Sequence, residues 1–112
     1  MEKFMMIFHG GLDVNSSPEQ MQENMGKWMA WVDKLMKDNR YASGEALMPG
    51  GKLVSGNSTV TEGPYTEGKE IVGGFFVVNA KDYDDAISLC ADYPDYQHGG
   101  KVQVRQAVKF DM

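Results

Sequence analysis

Residues 62–79 read EGPYTEGKEIVGGFFVVN, and this stretch decides the fold. It opens as a tight loop at Gly63-Pro64 and passes Glu67, Lys69 and Glu70 in quick succession. It then turns apolar from Ile71 to Val78. A strand shows alternate side chains to opposite faces. Here both sets are apolar: Ile71, Gly73, Phe75 and Val77 on one, Val72, Gly74, Phe76 and Val78 on the other. A strand with no polar face is covered on both sides, so this is a central strand with a charged loop at one end of a buried sheet.

Working outward, Phe4 to Phe8 is a short apolar run closed by His9-Gly10-Gly11 and reads as a first strand. Phe4, Met6 and Phe8 share one face; Met5, Ile7 and His9 share the other. A helix follows. Ser17 is placed as its N-cap, Pro18 as its first residue and Gln20 as the capping-box partner. Met21, Met25, Trp28, Val32 and Leu35 recur at helical spacing, with Met29 and Met36 beside them, and are expected to face the core. The helix should end near Asn39 or Arg40.

Tyr41 to Met48 reads as a second strand, stopped by Pro49-Gly50-Gly51. A small hairpin is expected from Lys52–Ser55 and Ser58–Thr61 around Gly56-Asn57. After the central strand, Asp82 caps a second helix whose inward positions are Ala86, Leu89 and Cys90. A last strand carries Val102, Val104, Val108 and Phe110 on one face and Lys101, Gln103, Arg105 and Ala107 on the other. Strand, helix, strand, inserted hairpin, strand, helix, strand is the order of an α+β, ferredoxin-like split βαβ domain with an antiparallel sheet. In that topology both helices cover one sheet face. The central strand needs cover on its other face too, and a homodimer packed sheet to sheet supplies it.

The chain has 112 residues, which fits a single domain over residues 1–112. Eleven Lys and Arg against sixteen Asp and Glu give a net charge of −5, which argues against nucleic-acid or anionic-membrane binding. One cysteine, Cys90, permits no intrachain disulfide. Neither a signal peptide nor a membrane-spanning run is read, so a cytoplasmic protein is expected.

The loop Glu62-Gly63-Pro64-Tyr65-Thr66-Glu67-Gly68-Lys69-Glu70 resembles the motif of the YCII-related family, in its Asp-Gly-Pro-Phe branch. There an acidic residue, Gly-Pro-Phe and Glu-Thr-Lys-Glu precede a glycine-containing apolar strand like Gly73-Gly74-Phe75-Phe76. Asp84-Asp85-Ala86-Ile87, Tyr93-Pro94 and Val102-Gln103-Val104-Arg105 resemble further parts of the pattern. The resemblance implies a ferredoxin-like fold forming a dimeric α+β barrel, in a branch mostly without an established activity. Tyr65, Gly68 and Gln106 depart from it, replacing Phe, Thr and Pro. Trp28 stands where the YCII branch proper has a histidine thought to act with an aspartate, so that chemistry is not carried over.

The split βαβ order places the end of the first strand beside the start of its antiparallel neighbours. It therefore gathers His9, the loop from Glu62 to Glu70 and the segment Asp95 to Gly100, with His98, at one end of the sheet. His9 is the candidate catalytic acid or base, because its reference pKa lies near neutrality; a capped, purely structural strand-end histidine is the alternative. Tyr65, Glu67, Lys69, Glu70, His98 and Arg105 are the candidate ligand-binding residues. Lys69 and Glu70 serve equally as a loop-fixing ion pair, and Arg105 as an edge charge against aggregation. A metal site is not expected, since no tight ligand spacing is present. No cofactor is expected either: phosphate loop, dinucleotide fingerprint and nucleophile elbow are all missing. Two functions compete. One is a small-molecule enzyme or binder for a small, partly apolar, anionic compound at the sheet edge or dimer cleft. The other is a non-catalytic dimeric interaction or regulatory module.

Overall fold

The structure is a computed structural model that describes residues 1–13, 15–56, 60–62 and 71–110. It contains β1 (Glu2–His9), α1 (Pro18–Lys37), β2 (Tyr41–Ala46), β3 (Lys52–Val54), β4 (Val60–Glu62), β5 (Val72–Ala80), α2 (Tyr83–Leu89) and β6 (Lys101–Gln106). Two short 3-10 turns, Cys90–Asp92 and Tyr96–His98, link α2 to β6. Four strands form one antiparallel sheet in the order β2-β5-β1-β6, while β3 and β4 form a separate two-stranded hairpin. The fold is thus α+β, two helices with an antiparallel sheet, and the stretch 71–78 lies at its centre.

Local signals fix the helix ends. The Ser17 hydroxyl accepts from the Gln20 backbone N–H at 3.2 Å, and the Gln20 side chain accepts from the Ser17 N–H at 3.2 Å. At the other end Asn39 turns left-handed with φ 59°. Its N–H reaches Met36 O and the Arg40 N–H reaches Leu35 O, satisfying carbonyls the helix leaves open. Asp82 caps α2 by accepting from the Asp85 N–H at 2.8 Å.

One sheet face is sealed. Phe4, Met6 and Phe8 of β1 and Phe76, Val78 and Ala80 of β5 pack against Trp31 and Leu35 of α1, Ala86 of α2, and Cys90 and Tyr93. The Phe8 ring stacks on Tyr93 at 5.4 Å and meets Phe76 edge-on at 4.9 Å. Trp28 meets Phe8 edge-on at 5.0 Å and packs, partly buried, against the core. The Trp31 indole N–H donates to Leu89 O at 3.1 Å and ties the helices together. A half-buried pair, Arg40 with Asp85 at 2.7 Å, pins the end of α1 to the start of α2. The thinnest dimension is 20 Å, room for one helix layer on one sheet layer.

Two expectations need correction. The inward stripe of α1 runs through Trp28, Trp31 and Leu35, whereas Met21, Met25, Met29 and Met36 are 47–64 % exposed. At 100° per residue the two stripes are about a quarter turn apart, and the bulky indoles take the sheet side. The last strand also stops at Gln106, leaving Val108 and Phe110 exposed. Its neighbour β1 begins at Glu2, and the bond from Ala107 N to Lys3 O is the final rung.

Candidate functional site

The sheet has a second face that no helix among the described residues covers. Strand pairing places two rows of side chains across it. One row is Ser43, Val77, Met5 and Arg105; the other is Glu45, Phe75, Ile7 and Gln103. Paired residues of an antiparallel sheet project from the same face. The middle of this face, Met5, Ile7, Phe75 and Val77, is apolar and only half-buried. Glu45, Gln103 and Arg105 at the margins are exposed.

His9 closes β1 on this open face, half-buried, opposite Lys101 of β6. Its Nε2 lies 3.1 Å from Gln103 Oε1. With the amide so oriented the ring Nε2 donates to it. A register shift between Phe8 and His9 brings His9 opposite Val72, and the Gly10 N–H donates to Ile71 O at 3.1 Å. The end of β1 therefore does adjoin the start of β5.

The third member of this end is the turn before β6. Gly10 and Gly11 have φ of 70° and 120°. A side chain on Gly10 would meet Gly99 O at 3.4 Å, and one on Gly11 would meet Asp95 Oδ2 at 2.8 Å. The positive φ favours glycine at both positions, and at Gly11 the close approach of Asp95 leaves no room for a side chain. His98 sits exposed in the turn, at the same end as His9. Arg105 lies on the same face as His9 but four residues further along β6 than Lys101, His9's partner. Tyr65, Glu67, Lys69 and Glu70 lie outside the described residues.

Sequence reasoning did not single out Gln103 as the partner of His9, nor Tyr93 and Asp95 behind it. Tyr93 and Asp95 are 4 % and 7 % exposed, and neither the Tyr93 hydroxyl nor Asp95 Oδ1 has a partner among the described residues. Burial, then the Asp95 carboxylate and Tyr96, push the Tyr93 hydroxyl up. The signal for Gln103 was the alternation of β6, which set it on the face of Arg105. Charge adds a further point. The chain is net −5, yet the open face carries Lys3, Lys101 and Arg105 against Glu45 alone among the described residues.

An open groove of about 630 Å³ lies elsewhere, between α1 and the end of α2, lined by Trp31, Leu35, Asp38, Ser88 and Leu89. The 2.6 Å ion pair of Lys34 and Asp92 closes one side of it. It is on the helix side of the sheet and shares nothing with His9. Among the described residues, no three His, Cys, Asp or Glu side chains cluster to hold a metal ion. No helix is long and apolar enough to cross a membrane among the described residues.

The family model for the YCII-related domain matches residues 3–111. The chain belongs to the YCII-related family. No curated protein matches it. The match takes in both helices and, apart from the first residue of β1, every strand of this YCII-related chain.

Proposed function

We propose that this YCII-related protein is a ferredoxin-like domain of the Asp-Gly-Pro-Phe branch. Two copies pack their open sheet faces together as a dimeric α+β barrel. The cleft between them takes a small, partly apolar, anionic molecule, with His9 as acid or base. The observation that carries this reading is the His9–Gln103 pair at 3.1 Å, held on an open face of Met5, Ile7, Phe75 and Val77. A histidine with one nitrogen fixed and the other free is oriented for proton transfer. Surplus positive charge on that face of an acidic protein supports an anionic ligand, with Arg105 as its clamp and His98 at the rim. Half-buried aromatic and aliphatic side chains support sheet-to-sheet burial.

Sedimentation at micromolar concentration is expected to give a dimer. Titration with a panel of small aromatic and aliphatic carboxylates, followed by backbone NMR, should shift signals of the open face. Arg105→Ala should weaken the best ligand about tenfold, the loss of one charged hydrogen bond. A stable monomer, or ligands that shift only the helix-side groove, overturns the proposal.

A further inference from the structure

The open face is charged asymmetrically. Its acidic margin is β2, with Glu45; its basic margin is β6, with Lys101 and Arg105. Neither Glu45 nor Arg105 has an ion pair or hydrogen bond from its side chain among the described residues. A two-fold axis lying between two such faces has two limiting directions. An axis across the strands sets β2 on the partner's β2 and β6 on the partner's β6. That gathers both carboxylates at one margin and both guanidinium groups at the other, and like charges facing each other oppose association. An axis along the strands sets β2 on the partner's β6 and joins opposite charges.

Rotation about an axis along the strands also leaves every residue at its own height. The row Glu45-Phe75-Ile7-Gln103 must then face the same row of the second copy, with Phe75 over the partner's Ile7 and Glu45 over the partner's Gln103. Resting on the sheet-face dimer proposed above, we infer that the partner's Glu45 completes the His9 site. Gln103 engages its carbonyl oxygen with His9 Nε2, which leaves its amide NH₂ as a donor for a second partner. The partner's carboxylate accepts from it. The relay runs from the partner's Glu45 through Gln103 to His9, holding the ring with Nδ1 toward the ligand. Arg105, one row further along, lies within about 7 Å of the same carboxylate's height and shares it. Glu45 is a positioning residue here, acting on the ring through Gln103. Each copy contributes one, so a lone chain has an unfinished site.

The test mixes two chains in a Cys90→Ala background, one carrying Glu45→Cys and the other Gln103→Cys. A short bismaleimide spans facing sheets about 10 Å apart. The mixture should yield a covalent dimer, and the Glu45→Cys chain alone should not. Cross-linking of the Glu45→Cys chain to itself, or no cross-link in a protein that sediments as a dimer, overturns this inference and leaves the sheet-face dimer standing or relocated. A monomer in sedimentation removes the dimer reading and this one with it. Charge exchange gives an independent measure. Glu45→Arg and Arg105→Glu should each raise the dimer Kd at least about tenfold, and the double variant should restore most of it. Glu45→Gln should also speed solvent exchange of the His9 ring N–H signal in the intact dimer; an unchanged signal overturns the relay.

Discussion

Gly73 and Gly74 are neighbours in the central strand, and the same substitution should act on them in opposite directions. A methyl on Gly74 would sit 2.7 Å from Glu45 O and 3.3 Å from Ala46 Cα, both backbone atoms of β2. Gly74 is buried and paired with Phe8 on one side and Ala46 on the other, so β2 must yield by about 0.7 Å to restore ordinary contact at about 3.4 Å. Overpacking of this kind costs about 1–3 kcal/mol. At Gly73 the nearest atom is Gly10 O at 3.9 Å and the backbone φ is not positive, so Gly73→Ala should stabilise by about 0.5 kcal/mol through the unfolded chain. That unfolded-state gain is common to both variants. The difference between them, about 2 kcal/mol, therefore isolates the squeeze on β2. Urea unfolding at fixed protein concentration should separate the two midpoints by about 1 M at equal slope. Coincident midpoints, or Gly74→Ala the more stable, would refute the packing argument.

Other consequences are as direct. Ser17→Ala removes the capping-box hydroxyl of α1 and should cost about 1 kcal/mol in the same urea titration; an unchanged midpoint counts against it. The Arg40 guanidinium, then the Lys81 N–H, hold the Asp85 carboxyl below its ordinary range. A lowered value in the folded protein means its contribution is present above the ordinary carboxylate pKa and lost as pH falls through the folded value. Asp85→Asn should flatten the acid limb of the stability profile, and an acid limb of unaltered slope would exclude the pair from that role. Burial pushes the Cys90 thiol up to about 11, so iodoacetamide at pH 8 should spare the native protein and modify it in urea; prompt labelling of the folded chain would contradict the buried placement.

What the sequence made legible was mostly local or periodic. Ser17-Pro18-Glu19-Gln20 places a helix start because the cap is made within four residues. The alternation of residues 73–78 and 4–9 assigned sheet faces correctly, down to His9 sharing its face with Met5 and Ile7, whereas the shift at Phe8/His9 pairs Val72 with His9 and takes it off the face of Gly74, Phe76 and Val78. Of the α1 stripe, Trp28, Val32 and Leu35 do meet the core, while the methionines were misassigned because two overlapping apolar sets share Trp28 and hydrophobicity alone does not say which one meets a sheet. The two register shifts, at Phe8/His9 and Tyr41/Ser43, leave no periodic trace in the chain. The Gln103 partner of His9 lies 94 residues away, where only strand pairing brings it near. Tyr93 and Asp95 passed as loop residues because burial of a turn depends on what the glycines of another segment allow.

The surface methionines of α1 bear on how this protein meets oxidants. Peroxide reaches Met21, Met25, Met29 and Met36 long before it reaches Met6, which is fully enclosed. A thioether that takes up oxygen on that helix becomes a polar group already in water, so neither the aromatic core nor the sheet loses a contact. The sulfoxide is also the rung of sulfur oxidation that cells can reduce back. The side of α1 turned from the core thus spends its sulfur where the damage is both harmless to packing and repairable.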